Sequence, residues 1–394
     1  MRVSTLPLAP WLVPVLAAAA GVFACTLDLT APMVPPPETW DPALNTHPGG
    51  QVFQDILDRH VREGLPGVVL LVRTPEGLWN GAAGYGKVET ADPMVPTHRH
   101  HAASVTKMYT ATAVLLLAED GLIDLDATIS RYLPEAIYRP IPNGGQATVR
   151  QLLGHTSGIP DFSGDLKYEL DFLNDPLGSY STGRLLSYLH GQSALSAPGA
   201  GYFYSNANYF LLALIMDQVA EGGHARVMSE GIFHPLGLEA TYYKNEPGYP
   251  TPPGLVNSYQ DLAGDGRLMN VTDLATHALE VFGGNAGLIA TSADFAAFIE
   301  GLLGGSIIGP ESLAEMQAWR ERSRYGLGLN YIETPYGPGI GHSGGDVGVL
   351  SQVRHFPDLD ATLVLLSNGG DGGVTARVFS RLWEEVMQAA LEGL

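Results

Sequence analysis

The sequence has a single cysteine, Cys25, so an intrachain disulfide and any metal site built from several cysteines are excluded. Basic side chains are scarce too: 21 Lys plus Arg face 41 Asp plus Glu, a formal net charge of −20. Such an acidic surface repels polyphosphate and the anionic face of a bilayer, which excludes nucleic acid as a partner. Charge of either sign is sparse, 16% of residues against roughly 25% in an average globular chain. Hydrophobic residues reach 45%, ample for a core, so intrinsic disorder is not the main theme. Long uninterrupted helices are missing as well. With 48 glycines and 28 prolines and no internal repeat, the chain reads as many short elements joined by tight turns, which excludes a solenoid or coiled coil. Its 394 residues allow one large domain or two of ordinary size.

What is present begins with an N-terminal apolar stretch. Arg2 opens the chain, Trp11 to Ala24 carries no charge, and Val22-Phe23-Ala24-Cys25 places small or apolar residues before the thiol. A spanning helix needs about 20 apolar residues, and Leu6 to Cys25 nearly supplies them, but Pro7, Pro10 and Pro14 interrupt the run. Residues 1–25 therefore read as an export signal. The last four resemble a bacterial lipobox, in which Cys25 becomes the lipidated first residue, the alternative being ordinary cleavage nearby. Residues 26–50, with six prolines between Pro32 and Pro48, read as a semi-rigid tether, and 51–394 as a single folded domain. The expected location is periplasmic or cell-envelope, with a lipid at Cys25 as the sole membrane link.

Within that domain the apolar spacing is helical over Val52–Val61, then strand-like over Gly67–Val72 and Leu78–Tyr85 around the Pro75-Glu76-Gly77 turn. Helical spacing returns at Ser104–Ala118, Leu185–His190, Tyr209–Ala220, Ala293–Leu303 and Ser312–Arg320. Strand-like runs come back at Gly348–His355 and Ala361–Ser367, before a closing helix over Ala376–Leu391. Strands at both chain ends with helices between them predict an α+β fold, one sheet built from the termini around a large, mostly helical insertion.

Three short segments carry chemistry. In Ser104-Val105-Thr106-Lys107, positions i and i+3 share a helix face, so the Ser104 Oγ and Lys107 Nζ can meet. A buried lysine sheds its proton readily and can serve as a base. Of the four lysines, only Lys107 has a serine three residues before it. Tyr204-Ser205-Asn206 sits in a loop abutting an apolar helix and offers a phenol for proton transfer and an amide for substrate. Tyr243-Lys244-Asn245 matches the same pattern but lacks that setting. His342-Ser343-Gly344-Gly345 is a glycine-rich strand edge where a substrate backbone can lie alongside and Gly345 N–H can face an oxyanion.

In this order, Ser104-x-x-Lys107, Tyr204-x-Asn206 and His342-x-Gly344 resemble the penicillin-recognising serine hydrolases, in particular the beta-lactamase-related branch. That branch holds class C beta-lactamases, D-alanyl-D-alanine carboxypeptidases, D-aminopeptidases and esterases. Residues Val149–Gly158, His234–Leu238 and Gly287–Asp294 fit it too, and the second makes Tyr243 a structural residue. The resemblance spans about Gln51 to Leu391 and implies a beta-lactamase/transpeptidase-like fold, with an antiparallel sheet flanked by helices and an all-helical region lining the cleft. It also implies an acyl-enzyme on Ser104, Lys107 lowering the proton affinity of that serine, and Tyr204 as general base and acid. Asn206 would orient substrate, with the Ser104 and Gly345 N–H groups as the oxyanion hole and neither metal nor cofactor. The implied substrate is a small molecule or peptidoglycan-derived peptide, D-alanyl-D-alanine peptides and related amides or esters first, taken by a monomer.

Two departures qualify the resemblance. His98, His100 and His101 stand where relatives carry an aromatic and a basic residue; they suggest zinc, but no acidic or fourth ligand accompanies them and core packing is the reading taken. His342 stands where typical beta-lactamases have lysine, which favours the peptidase and esterase members over efficient beta-lactam hydrolysis; a cationic His342 would receive a carboxylate, the alternative being that it only hydrogen-bonds Tyr204 or the strand. A class C-like beta-lactamase and a sensor acylated without turnover are the alternatives. Gly341-His342-Ser343-Gly344-Gly345 also matches the nucleophile elbow G-x-S-x-G, but the strand-like segment after it does not suit one.

Overall fold

A computed structural model describes residues 40–178, 180–244, 252–281 and 283–392, so Cys25 and the export signal lie outside the described residues. Its principal elements in chain order are α1 (Gly50–Arg62), β1 (Gly67–Thr74), β2 (Gly77–Lys87), β3 (Asp92–Pro93), α2 (Thr106–Glu119), α3 (Leu166–Asn174), α4 (Asn206–Val219), α5 (Ser292–Leu303), β4 (Asn330–Thr334), β5 (Gly337–Asp346), β6 (Val349–Phe356), β7 (Ala361–Ser367) and α6 (Gly373–Leu391). The strands form one antiparallel sheet in the order β3-β2-β1-β7-β6-β5-β4. The N-terminal hairpin joins the C-terminal meander through β1 and β7, with Val68 opposite Ser367 and Val72 opposite Leu363. A sheet made from both chain ends is thus what the strand-like runs foretold.

Covering the sheet on both faces explains why β1 and β7 are continuous apolar runs rather than alternating ones. Val68, Leu70 and Val72 face α1 and α6, whereas Val69 and Leu71 face the helical side. Helix α1 buries Phe53, Ile56, Leu57 and His60, a one-sided i, i+3, i+4, i+7 stripe suited to an outer helix. Helix α2 has no such stripe. Nearly all its residues from Thr106 to Leu117 are buried, so it is a central helix, and α4 beside it is buried from Ala207 to Leu212. A lysine at the start of α2 is thereby taken fully out of water. Upstream of α1, Asn45 is tied to β2: its Nδ2 donates to Asn80 O at 3.2 Å and its Oδ1 accepts from Asn80 N at 2.9 Å.

Two further segments lie against the start of α2. The strand β5, unmarked by apolar alternation, carries five glycines in ten residues, and pairing with β6 makes it a strand. His100–His101 forms a short ribbon with Leu288–Ala290 and Tyr242–Tyr243 that leads into the segment before α2. Both histidines are buried, at 2% exposure each, and burial drives both imidazoles to the neutral form. Among the described residues no three His, Cys, Asp or Glu side chains come together as a metal site.

Candidate active site

Ser104 sits on a single 3-10 turn, Ala103–Val105, that feeds directly into α2. Ala103 adopts φ +46°, a left-handed conformation that costs a non-glycine residue strain of order 1 kcal/mol or more. Packing holds the turn: Ser351 Oγ on β6 donates to Ala102 O at 3.0 Å. Gly344 is needed at this approach, because a β-carbon there would lie 2.4 Å from Ala102 O. The nucleophile candidate is thus presented beside β5.

Lys107 Nζ donates to Ser104 Oγ at 3.0 Å, to Asn206 Oδ1 at 2.8 Å and to Asn285 O at 3.0 Å. The i, i+3 expectation is met even though the chain changes from a 3-10 turn to an α-helix between the two residues. Burial pulls the amine pKa from 10.5 down to about 7, against the opposing pull of Asp161 and Asp346. That shift corresponds to roughly 5 kcal/mol favouring the neutral amine, enough to make Lys107 a base at neutral pH. Asn206 is fixed in turn by Asp161, whose Oδ2 accepts from Asn206 N at 3.1 Å and Asn206 Nδ2 at 3.0 Å. With its amide group held this way, Asn206 can present only its oxygen to Lys107.

Tyr204 lies in the loop before α4, with Lys107 Nζ 5.0 Å from its ring centroid and 37% of its surface exposed. Its ring leans on His155 at a centroid distance of 4.2 Å, and His155 also contacts Tyr209 and Tyr325. Burial raises the phenol pKa well above 10, outweighing the lowering from a hydrogen bond with Ser104. Tyr204 therefore stays protonated at neutral pH. Tyr243 is elsewhere: fully buried, its hydroxyl accepts from Gly284 N at 2.7 Å.

His342 is on β5, 3% exposed, its Nε2 3.1 Å from the Tyr325 hydroxyl and its Nδ1 2.6 Å from Ser343 O. A neutral ring satisfies both contacts, with Nδ1–H donating and Nε2 accepting. Burial, reinforced by Lys107 and Arg354, pulls its pKa down to about 3 despite the Ser343 carbonyl. The expected imidazolium for a carboxylate is therefore absent at neutral pH. The G-x-S-x-G match lies wholly inside β5, which continues to Asp346 and pairs with β6, so no strand-to-helix elbow exists there.

Beside Ser104 lies a cavity of about 400 Å³ whose lining includes Ser104, Asn206, Gly345, Tyr168, Phe172 and Asn285. Two regions of the chain reach it, one through Phe162 and Tyr168 and the other through Gln260 and Asp261. Sequence reasoning missed Asp161, Asn285 and the aromatic support of His155 and Tyr325. His155 and Asp161 flank the stretch Thr156–Pro160, and the histidine two residues before Ser157 was the available signal; nothing local marks Asn285 or Tyr325.

The family described as Beta-lactamase matches residues 51–386. The chain belongs to the beta-lactamase family. It is a serine hydrolase by that membership, with the beta-lactamase/transpeptidase-like fold. It is 28% identical over 194 residues to penicillin-binding protein 4* of Bacillus subtilis (strain 168), a match covering 49% of this chain and 41% of that protein, so it spans less than half of that relative's length. Among solved structures it is similar to a D-stereospecific amidohydrolase from Streptomyces sp., at 27% identity, TM-score 0.73, covering 88% of this chain and 100% of that one. It is likewise similar to D-amino acid amidase from Ochrobactrum anthropi SV3 complexed with D-phenylalanine, at 26% identity, TM-score 0.75, covering 86% and 98%. No helix among the described residues is long and apolar enough to cross a membrane.

Proposed function

We propose that this chain is an exported hydrolase that cleaves small amides, esters or D-alanyl-D-alanine-type peptides through an acyl-enzyme on Ser104. The observation carrying the reading is the 3.0 Å contact between Ser104 Oγ and the buried Lys107 amine, whose pKa of about 7 suits a general base. Lys107 takes the Ser104 proton as Oγ attacks the scissile carbonyl carbon. The oxyanion receives the Ser104 and Gly345 N–H groups, and collapse breaks the bond to the leaving amine or alcohol. Tyr204, protonated at neutral pH, is better suited to protonate the leaving group than to serve as the resting-state base, so the pKa order moves the first proton transfer from Tyr204 to Lys107. A water then attacks the acyl carbonyl with the proton path reversed, releasing the acid and restoring Ser104. Asn206 orients Lys107 and the substrate amide.

The D-stereospecific amidohydrolase and D-amino acid amidase named above support amides of D-amino acids as the first substrates to try. Incubation with a fluorophosphonate probe tests the reading: its mass is expected on the peptide holding Ser104. A label that persists in Ser104→Ala and disappears in Ser343→Ala would overturn it.

A further inference from the structure

The cavity beside Ser104 is apolar on one side and acidic on the other. Tyr168, Phe172 and Leu173 come from α3, which also carries Glu169, whereas Asp346 ends β5 and Asp371 precedes α6, and the described lining contains no lysine or arginine. The Asp346 Oδ1 accepts from Val347 N at 2.8 Å. Asp371 joins it through the chain, Asp371 N donating to Asp346 O at 3.1 Å. The Asp371 carboxylate overhangs the proposed oxyanion strand, for a β-carbon on Gly345 would lie 2.9 Å from its Oδ2. Burial raises the pKa of Asp346 and the neighbouring Asp371 adds to the rise, while Lys107 and Lys244 act against it.

A second observation points to a missing donor. Asn285 is 5% exposed and lines the same cavity, yet its Oδ1 has no hydrogen-bond partner among the described residues. A buried carboxamide oxygen without a donor costs about 1–3 kcal/mol, so a ligand supplying one is favoured. An ammonium brings three N–H donors and one positive charge, and it meets the need of Asn285 and of the two carboxylates together. A carboxylate-bearing ligand meets the opposite: two anions and, at His342, a neutral ring.

We infer that Asp346, Asp371 and the Asn285 carboxamide form a subsite for the free amino group of the substrate, with the α3 aromatics receiving an apolar side chain. The substrate class is then an amide or ester of an amino acid bearing a free α-amine, rather than a peptide recognised by its terminal carboxylate. This inference rests on the Ser104 hydrolase reading and narrows it.

The experiment uses the purified full chain at pH 7, where an α-amine with pKa near 7.7 is largely cationic. D-phenylalanine amide, N-acetyl-D-phenylalanine amide and 3-phenylpropionamide differ in the amino group alone. The free amine is expected to lead both others in kcat/KM by about 10-fold or more, and Asp371→Asn and Asp346→Asn are each expected to shrink that lead about 10-fold. Equal turnover of the N-acetyl amide, or a lead unchanged in both variants, overturns the subsite. Calorimetry on Ser104→Ala reads binding without chemistry, and tighter binding of the free amine than of its N-acetyl form is expected there too, equal affinity counting against the subsite. If no ester or amide turns over and Ser104 resists fluorophosphonate, the hydrolase reading fails while the calorimetry still judges the amine.

Discussion

The two walls of the cleft are built on opposite terms. On the Ser104 wall the reacting groups have partners inside the protein: Lys107 is held by Ser104, Asn206 and Asn285, and Asn206 by Asp161. On the Asp346 wall a polar group waits: Asn285 Oδ1 has no partner among the described residues, and Asp346, which feels the charges of Lys107 and Lys244, stands beside a second carboxyl, Asp371. A preorganised wall does not reorganise as charge develops, which suits chemistry, whereas unsatisfied groups discriminate between ligands because only the right one completes them. Reaction and selectivity are thus carried by different residues a few ångströms apart, and variants on the two walls should fail in different ways.

The largest break is expected from Ser104→Ala, which removes the nucleophile of a unit whose members act together; kcat should fall by about 10⁴ or more. Residual turnover within 10-fold of wild type, measured with a chromogenic ester, would mean that another residue attacks. Next comes Tyr204→Phe, expected to cost about 10² to 10⁴ in kcat, the usual scale for a proton-transfer group. Its control is Tyr243→Phe, which strands the Gly284 N–H and should cost about 1–3 kcal/mol in chemical denaturation while kcat changes only a few-fold. Reversed outcomes for the two tyrosines would relocate the proton-transfer site.

How much of this was readable beforehand follows from distance along the chain. Ser104 and Lys107 are three residues apart, so local helical geometry announces their contact, and apolar runs announced β1, β6 and β7 with small errors at the ends. Only the His342–Gly345 part of β5 was read as a strand edge, because Gly337, Gly339, Gly341, Gly344 and Gly345 contribute no side chain to an alternation; pairing with β6 sets its full length. Asp161, Asn285 and Asp371 reach the site from three separate stretches, and only the tertiary fold makes them neighbours. His342 was located, but of its two open readings the charged one does not hold, because proton affinity depends on burial and on Lys107, neither visible in a motif.

A smaller effect sharpens the Ser104 wall. Because deprotonated Lys107 is the proposed base, kcat/KM for a neutral ester should rise with pH through about 7 and then level. Asp161 raises that pKa by its negative charge, so Asp161→Asn should move the rising limb to lower pH, the sign following from loss of an anion that stabilises the ammonium. A limb that moves upward, or one that stays in place in Lys107→Ala, would exclude Lys107 as the titrating base. The variant also loosens Asn206, so some loss of plateau rate is expected alongside the shift, and the position of the limb is the diagnostic quantity.

The smallest expected effect is at His342, and its near-absence is the informative result. An exposed histidine titrates near 6.5, and a cationic one at this slot would favour a carboxylate-bearing substrate over a neutral ester below that pH and lose the preference above it. Here burial has lowered the pKa to about 3, and Tyr325 and the Ser343 carbonyl already occupy both ring nitrogens. The ring is neutral across the working range, so the ratio of kcat/KM for a carboxylate-bearing amide to that for a neutral ester should stay flat between about pH 5 and 9. The common requirement for deprotonated Lys107 cancels in that ratio. A ratio that falls several-fold as pH passes from about 6 to 7 would restore a cation at His342 and give carboxylate recognition back to the Ser104 side of the cleft. A flat ratio leaves Asp346 and Asp371 as the charged groups a substrate meets, and selectivity then follows the ammonium it carries.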